Sequence, residues 1–119
     1  MDKKVYDEFI ESNKDEAIEL LMTLGRIPAP SHHEDKRAAF CKKWFENEGC
    51  NEVWIDEAKN VVCKFNCDRY DDITVFMAHM DIVFDDTDEL PMTREGNILR
   101  APGIGDDTAN LVNLMMGTR

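Results

Sequence analysis

Two short stretches of this 119-residue chain hold the side chains best suited to chemistry. The first is His79-Met80-Asp81-Ile82-Val83. In extended backbone, residues two apart point the same way, so His79 and Asp81 can share one side of the chain. A neutral imidazole binds a metal ion through one nitrogen while a carboxylate holds its other N–H, which fixes the tautomer and raises the basicity of the ligand. The second stretch is Gly103-Ile104-Gly105-Asp106-Asp107-Thr108. Its glycines permit unusual dihedrals and close approach of a ligand, and an aspartate there can project oxygen donors toward a cation. It departs from the dinucleotide pattern G-x-G-x-x-G at Thr108, and two adjacent carboxylates disfavour a phosphate cradle. Taken singly, His79 and Asp81 are also an ordinary hydrogen-bonded pair at a strand end, and Asp106 or Asp107 an ordinary helix cap. Together they offer the mixed nitrogen and oxygen donors that suit zinc, and a bridging carboxylate could hold two ions.

The elements that must position these residues are legible from hydrophobic spacing. Phe9, Ile10, Ala17, Ile18, Leu20, Leu21 and Leu24 recur at helical intervals, predicting a helix over 5–24 with a break near Ser12-Asn13 and a stop at Gly25. The prolines of Ile27-Pro28-Ala29-Pro30 cannot continue it. Ser31 and Glu34 then have capping-box spacing, which predicts a second helix. Its apolar face is Ala38, Cys41, Trp44 and Phe45, its solvent face includes Lys36, Arg37, Lys42, Lys43 and Glu46, and Gly49 ends it. Val53-Trp54-Ile55 and Val61–Phe65 read as a hairpin. Ile73–Ala78 is a nearly continuous apolar run, expected to be a strand buried on both faces with His79 at its carboxyl end. A second hairpin turns at Gly96-Asn97, and a last helix runs from about Asp107 to Met116. This order predicts a layered α/β domain, in which ligand sites gather beyond the carboxyl ends of strands.

Composition narrows the function classes. Fourteen basic against 25 acidic residues give a net charge of −11, which repels nucleic acid and anionic membrane surfaces and leaves cations or cationic ligands open. Neither a membrane-span-length apolar run nor the apolar core of a signal peptide is present, so the expected location is the cytoplasm. Cys41, Cys50, Cys63 and Cys67 are accordingly expected as reduced thiols. His32 and His33 are expected to face solvent at a helix start, and Asp85, Asp86, Asp88 and Glu89 to form a solvated loop. Met77, Met80, Met115 and Met116, with Trp44 and Trp54, are expected to serve packing.

The sequence resembles the dinuclear-zinc aminoacylase and carboxypeptidase family, which includes peptidase T, carboxypeptidase G, acetylornithine deacetylase and succinyl-diaminopimelate desuccinylase. Ile27-Pro28-Ala29-Pro30-Ser31 with the helix after it, Asp56–Val61, His79–Val83 and Gly103–Asp107 occur in the family's order at similar spacings, over nearly the whole chain. The resemblance implies that His79 is a ligand of one zinc ion, that Asp81 orients His79 as the catalytic carboxylate, and that Asp106 bridges both metals. It implies a cis peptide at Asp106-Asp107. Two zinc ions, with cobalt or manganese as alternatives, would serve amide hydrolysis of a peptide or N-acyl amino acid by a metal-activated water. The fold implied is a three-layer zinc-exopeptidase-like α/β catalytic domain with a mixed sheet, here its N-terminal portion only. Residues 1–119 then correspond to one part of a split catalytic domain. The family's general base, further ligands, C-terminal part and inserted dimerisation domain have no counterpart, so the chain alone is expected to be inactive and homodimerisation to belong to the full-length protein. Two alternatives are a glutamyl-aminopeptidase-type dinuclear metallopeptidase and a non-catalytic metal-binding or dimer-forming α/β unit.

Overall fold

A computed structural model describes residues 2–69 and 71–119. Helix α1 spans Lys3–Arg26, with Asp2 as its cap, Oδ1 accepting from the Lys4 N–H at 3.1 Å. It runs unbroken through Ser12 and Asn13, where a break was expected. Both side chains donate to carbonyls one turn back, Ser12 to Glu8 and Asn13 to Phe9, so their polar groups are satisfied without opening the helix. Nor does Gly25 stop it. The helix ends at Ile27 (φ −76°, ψ 118°), because the residue before a proline is driven out of the helical region. Gly25 is buried within the last turn, and a Cβ there would meet the terminal methyl of the flexible Met92 side chain.

Helix α2 spans Asp35–Asn47 and buries Ala38, Cys41 and Phe45, with Trp44 edge-on to Phe45. The expected capping box does not form. Ser31 Oγ donates to Asp81 instead, and Glu34 accepts from the His32 N–H at 2.7 Å. The second correction is larger: Arg37, expected on the solvent face, is 0% exposed. Gly49 follows the helix with φ +88°, the left-handed turn for which a glycine is suited.

Strands β1 (Val53–Ile55) and β2 (Val61–Cys63) pair antiparallel, with Val53 opposite Cys63 and Ile55 opposite Val61. Asp56 organises the turn, one carboxylate oxygen accepting from the Ala58 and Asn60 N–H groups and the other from the Asn60 side chain. Cys50 and Cys63 are joined as a disulfide, against the expectation of four reduced thiols. The chain leaving α2 and the end of β2 converge, which sequence spacing does not reveal. Strands β3 (Thr93–Glu95) and β4 (Ile98–Arg100) form the second antiparallel hairpin, turning through Gly96-Asn97 as expected. These are the regular strands among the described residues.

The run 73–78 departs most from expectation. It joins no sheet among the described residues, and Phe76 and Met77 are 78% and 86% exposed. A strand buried on both faces needs a neighbour on each edge and a layer on each side, and no described element supplies them. Met77 is therefore not a packing residue, and Trp54 is 40% exposed, with Lys64 against its ring. Pairing with another segment resumes at Ile82, whose N–H donates to the Ala29 carbonyl at 2.9 Å beside a parallel bridge between Pro30 and Ile82.

Helix α3 (Ala109–Gly117) follows the kinked turn Ile104–Thr108 and packs on α1. Leu20 and Leu24 of α1, Cys41 and Phe45 of α2, and Leu111, Val112, Met115 and Met116 of α3 make the core. Among the described residues, no helix is long and apolar enough to cross a membrane.

Candidate metal centre

Three pieces of backbone converge on one point: the loop after α1, the segment 79–82, and the turn before α3. The bridge between Pro30 and Ile82 fixes the second against the first. Gly103 fixes the third, because its φ of +67° suits glycine and a Cβ there would strike the Ile82 side chain. Asp106 and Asp107 then take non-helical dihedrals inside the turn, joined by a cis peptide bond as the resemblance implies.

This convergence brings His79, Asp81 and Asp106 together. The Nδ1 atom of His79 lies 3.1 Å from Asp81 Oδ1 and 3.1 Å from the Asp81 carbonyl. Its Nε2 lies 3.1 Å from Asp106 Oδ1, across 27 residues of chain. Asp107 points elsewhere, accepting from the Asn110 side chain at 2.5 Å on α3. Neither aspartate caps α3, against the expectation that one of them would: its cap position is Thr108, with no side-chain cap bond. The imidazole is half-exposed and the Asp106 carboxylate almost fully so, leaving the pair open to solvent.

The electrostatics follow from these contacts. Partial burial pushes the His79 pKa down, but hydrogen bonds to Asp106 and Asp81 and the Asp81 charge outweigh it, and the net direction is up. Asp81 is held below the usual carboxylate range, first by the Ser31 hydroxyl and then by the charge and hydrogen bond of His79. Ser31, Asp81 and His79 thus form a chain in which the serine orients the carboxylate and the carboxylate orients the ring.

Arg37 ties the convergence together from beneath. Its Nε donates to the Ile27 carbonyl at 2.8 Å, and its Nη1 donates both to the Met80 carbonyl and to Thr108 Oγ1, each at 2.9 Å. Thr108, itself buried, donates onward to the Gly103 carbonyl at 3.1 Å. Sequence reasoning missed both Ser31 and Arg37. Ser31 carried a signal for a local cap, and Arg37 sat among lysines on a helix expected to face water.

A separation of 3.1 Å between His79 Nε2 and Asp106 Oδ1 fits two donors sharing one ion at bonds of ~2.0–2.2 Å. The donor types are those zinc takes, and Asp81 on the far ring nitrogen is the usual support for a histidine ligand. No group of three or more His, Cys, Asp or Glu that could hold a metal ion is found among the described residues. His32 and His33 are exposed in the turn before α2 and do not join the cluster. Neither does the acidic run, where Glu89 pairs at 3.9 Å with Arg26. A surface cleft of about 540 Å³ at Thr23, Arg26, Lys36 and Phe40 is also separate from it.

No known protein-family model matches the chain. Over 94 residues it is 35% identical to a protein of Pyrobaculum aerophilum named as a LysW-lysine/LysW-ornithine hydrolase. The match covers 79% of this chain and 26% of that protein, so the chain spans about a quarter of the length of the relative to which it is similar.

Proposed function

We propose that this chain belongs to a metal-dependent hydrolase that cleaves an amide bond of a peptide or N-acyl amino acid, and that it carries part of the metal site. The observation that carries the proposal is the placement of His79 Nε2 at 3.1 Å from Asp106 Oδ1 while Asp81 occupies the other ring nitrogen. The hydrolase name of the relative and the motif order shared with the aminoacylase and carboxypeptidase family support it. That resemblance also supports a three-layer α/β catalytic domain with a mixed sheet, of which residues 1–119 would form one part.

In this proposal His79 and Asp106 hold the ion, zinc by donor type, with cobalt or manganese as alternatives. A bound ion would lower the pKa of water and polarise the scissile carbonyl. Asp81 keeps the imidazole turned with Nε2 outward, and Ser31 keeps Asp81 from rotating away. Asp106, more exposed than either, has an oxygen free to face a second cation. The substrate is a peptide or N-acyl amino acid; nucleic acid and membrane are not partners, given the net charge of −11. A cytoplasmic location and a homodimer of the full-length protein complete the proposal.

Zinc titration of the chain by calorimetry, with assays of dipeptide and N-acyl amino acid hydrolysis, tests it. His79→Ala and Asp106→Asn are each expected to abolish the strongest binding event. Binding undiminished in both variants would sink the proposal. A second reading, which the two-donor set of His79 and Asp106 allows, is a metal-binding α/β unit without turnover. Zinc binding that depends on His79 without hydrolysis of any test substrate, in the full-length protein, would select it.

A further inference from the structure

We infer that Arg37 is the positioning residue of this site, the group that sets the distance between His79 and Asp106. One nitrogen does the measuring. Arg37 Nη1 donates at 2.9 Å to the carbonyl of Met80, the residue between His79 and Asp81. It donates at the same 2.9 Å to Thr108 Oγ1, two residues after Asp106. Thr108 passes the constraint on, because its hydroxyl donates to the Gly103 carbonyl and so closes the turn that holds Asp106. The third bond, from Nε to the Ile27 carbonyl, anchors the fork to the loop after α1.

The guanidinium is suited to this task by its rigidity. Its donors leave a plane at fixed angles, so two acceptors on one nitrogen are held at a fixed spacing, which a flexible ammonium does not enforce. Its location argues the same way. Arg37 is 0% exposed on a helix whose neighbouring core positions are apolar, and a buried charge costs more than an apolar side chain unless its hydrogen bonds compensate. All three of its hydrogen bonds go to the backbone or side chains of the segments flanking the site, while its Nη2 is buried without a partner among the described residues. Arg37 touches neither His79 nor Asp106 through a hydrogen bond; it acts on them through Met80 and Thr108.

Two measurements on the same chain test this: nuclear Overhauser contacts between the His79 ring and the Asp106 β protons without metal, and cobalt(II) binding read by visible absorption. The second arm rests on the function proposed above, and the first does not. Arg37→Met is expected to lose the His79 to Asp106 contact and to weaken cobalt binding about 10–100-fold, the range for groups that orient metal ligands. Arg37→Lys is expected to fall between that variant and the native chain. Met116→Ala, a core truncation outside the site, is expected to lower the melting temperature while leaving contact and binding unchanged. Retention of the contact in folded Arg37→Met overturns the inference, as does equal loss of it in Met116→Ala. If Arg37→Met does not fold, Arg37→Lys decides in the same way. If native cobalt binding does not depend on His79, the metal proposal fails and the contact alone decides the role of Arg37.

Discussion

Residues 73–77 and residues 79–82 are separated only by Ala78 and differ in almost every physical respect. The first run is the more hydrophobic, yet Ile73, Val75, Phe76 and Met77 are all exposed. The second holds a histidine and an aspartate, yet Ile82 is 1% exposed and the Met80 carbonyl is bonded to a buried arginine. Apolar character provides a reason to be buried but no partner to be buried against. What ties the second run to the rest of the fold is a set of directional bonds: Ile82 to Ala29, Arg37 to Met80, Ser31 to Asp81 and His79 to Asp106. Attachment here follows the polar network of the candidate site rather than the hydrophobic pattern.

The strongest way to break this contrast is to truncate one side chain on each side of it. Leu24→Ala, at a fully buried position in the core, is expected to cost about 2–5 kcal/mol in urea unfolding. Met77→Ala is expected to stay within about 0.5 kcal/mol, the range for exposed positions. Equal costs would show that 73–77 is packed in solution. Next in size is Gly103→Ala, expected to cost about 1–3 kcal/mol, because the residue sits at φ +67° and a Cβ would displace Ile82. It should also shift the NMR resonances of His79 while leaving those of 73–77 in place, and the reverse pattern would contradict the account of the junction.

Acid should lower the stability of the fold through carboxylates held in hydrogen bonds and ion pairs, none of which lies in 73–77. Asp81 is held below its ordinary value by Ser31 first, Asp56 by Asn60, Asp35 by Lys59 and Glu16 by Arg119. Groups with lowered folded-state values contribute stability that is present above their unfolded values and is lost as pH falls through the folded ones. The urea midpoint is therefore expected to rise as pH falls from 7 toward about 5, where His79 with its raised value takes up a proton in the folded protein first, and to decline below about 4 as the carboxylates are protonated. Asp56→Asn should flatten that decline, and a slope unchanged by the substitution would remove the turn from the explanation. The smallest effect is chemical. Burial pushes the Cys41 thiol up to about 12, whereas Cys67 is partly accessible. A disulfide reagent at pH 8 should label Cys67 in the native protein and Cys41 only after unfolding. Native labelling of Cys41 would mean that the core opens readily.

The legible features were those that depend on local covalent geometry or short spacing. Gly49 turned the chain after α2 and Gly96-Asn97 turned the second hairpin, whereas α1 ran past the stop expected at Gly25 to the residue before Pro28. Three errors shared one cause, a residue choosing a distant partner over the near one its spacing offered. Ser31 was spaced to cap α2 with Glu34 and bonds Asp81, fifty residues away. Arg37 was spaced to face solvent and bonds Met80 and Thr108. Cys50 and Cys63 looked like independent thiols and are joined.

The sequence by itself determined which residues could do chemistry here: His79 and Asp81 by a spacing of two, and Asp106 by its place between glycines and a helix. It also indicated three helices and two hairpins, though not their exact bounds, since proline, glycine and hydrophobic period act within a few residues. Only the tertiary structure decided that His79 Nε2 meets Asp106 rather than Asp107, that Ser31 and Arg37 hold the junction, and that the most apolar run lies outside the core. Those outcomes depend on long-range closure, in which each polar group settles on whichever partner the packed helices bring within hydrogen-bonding distance.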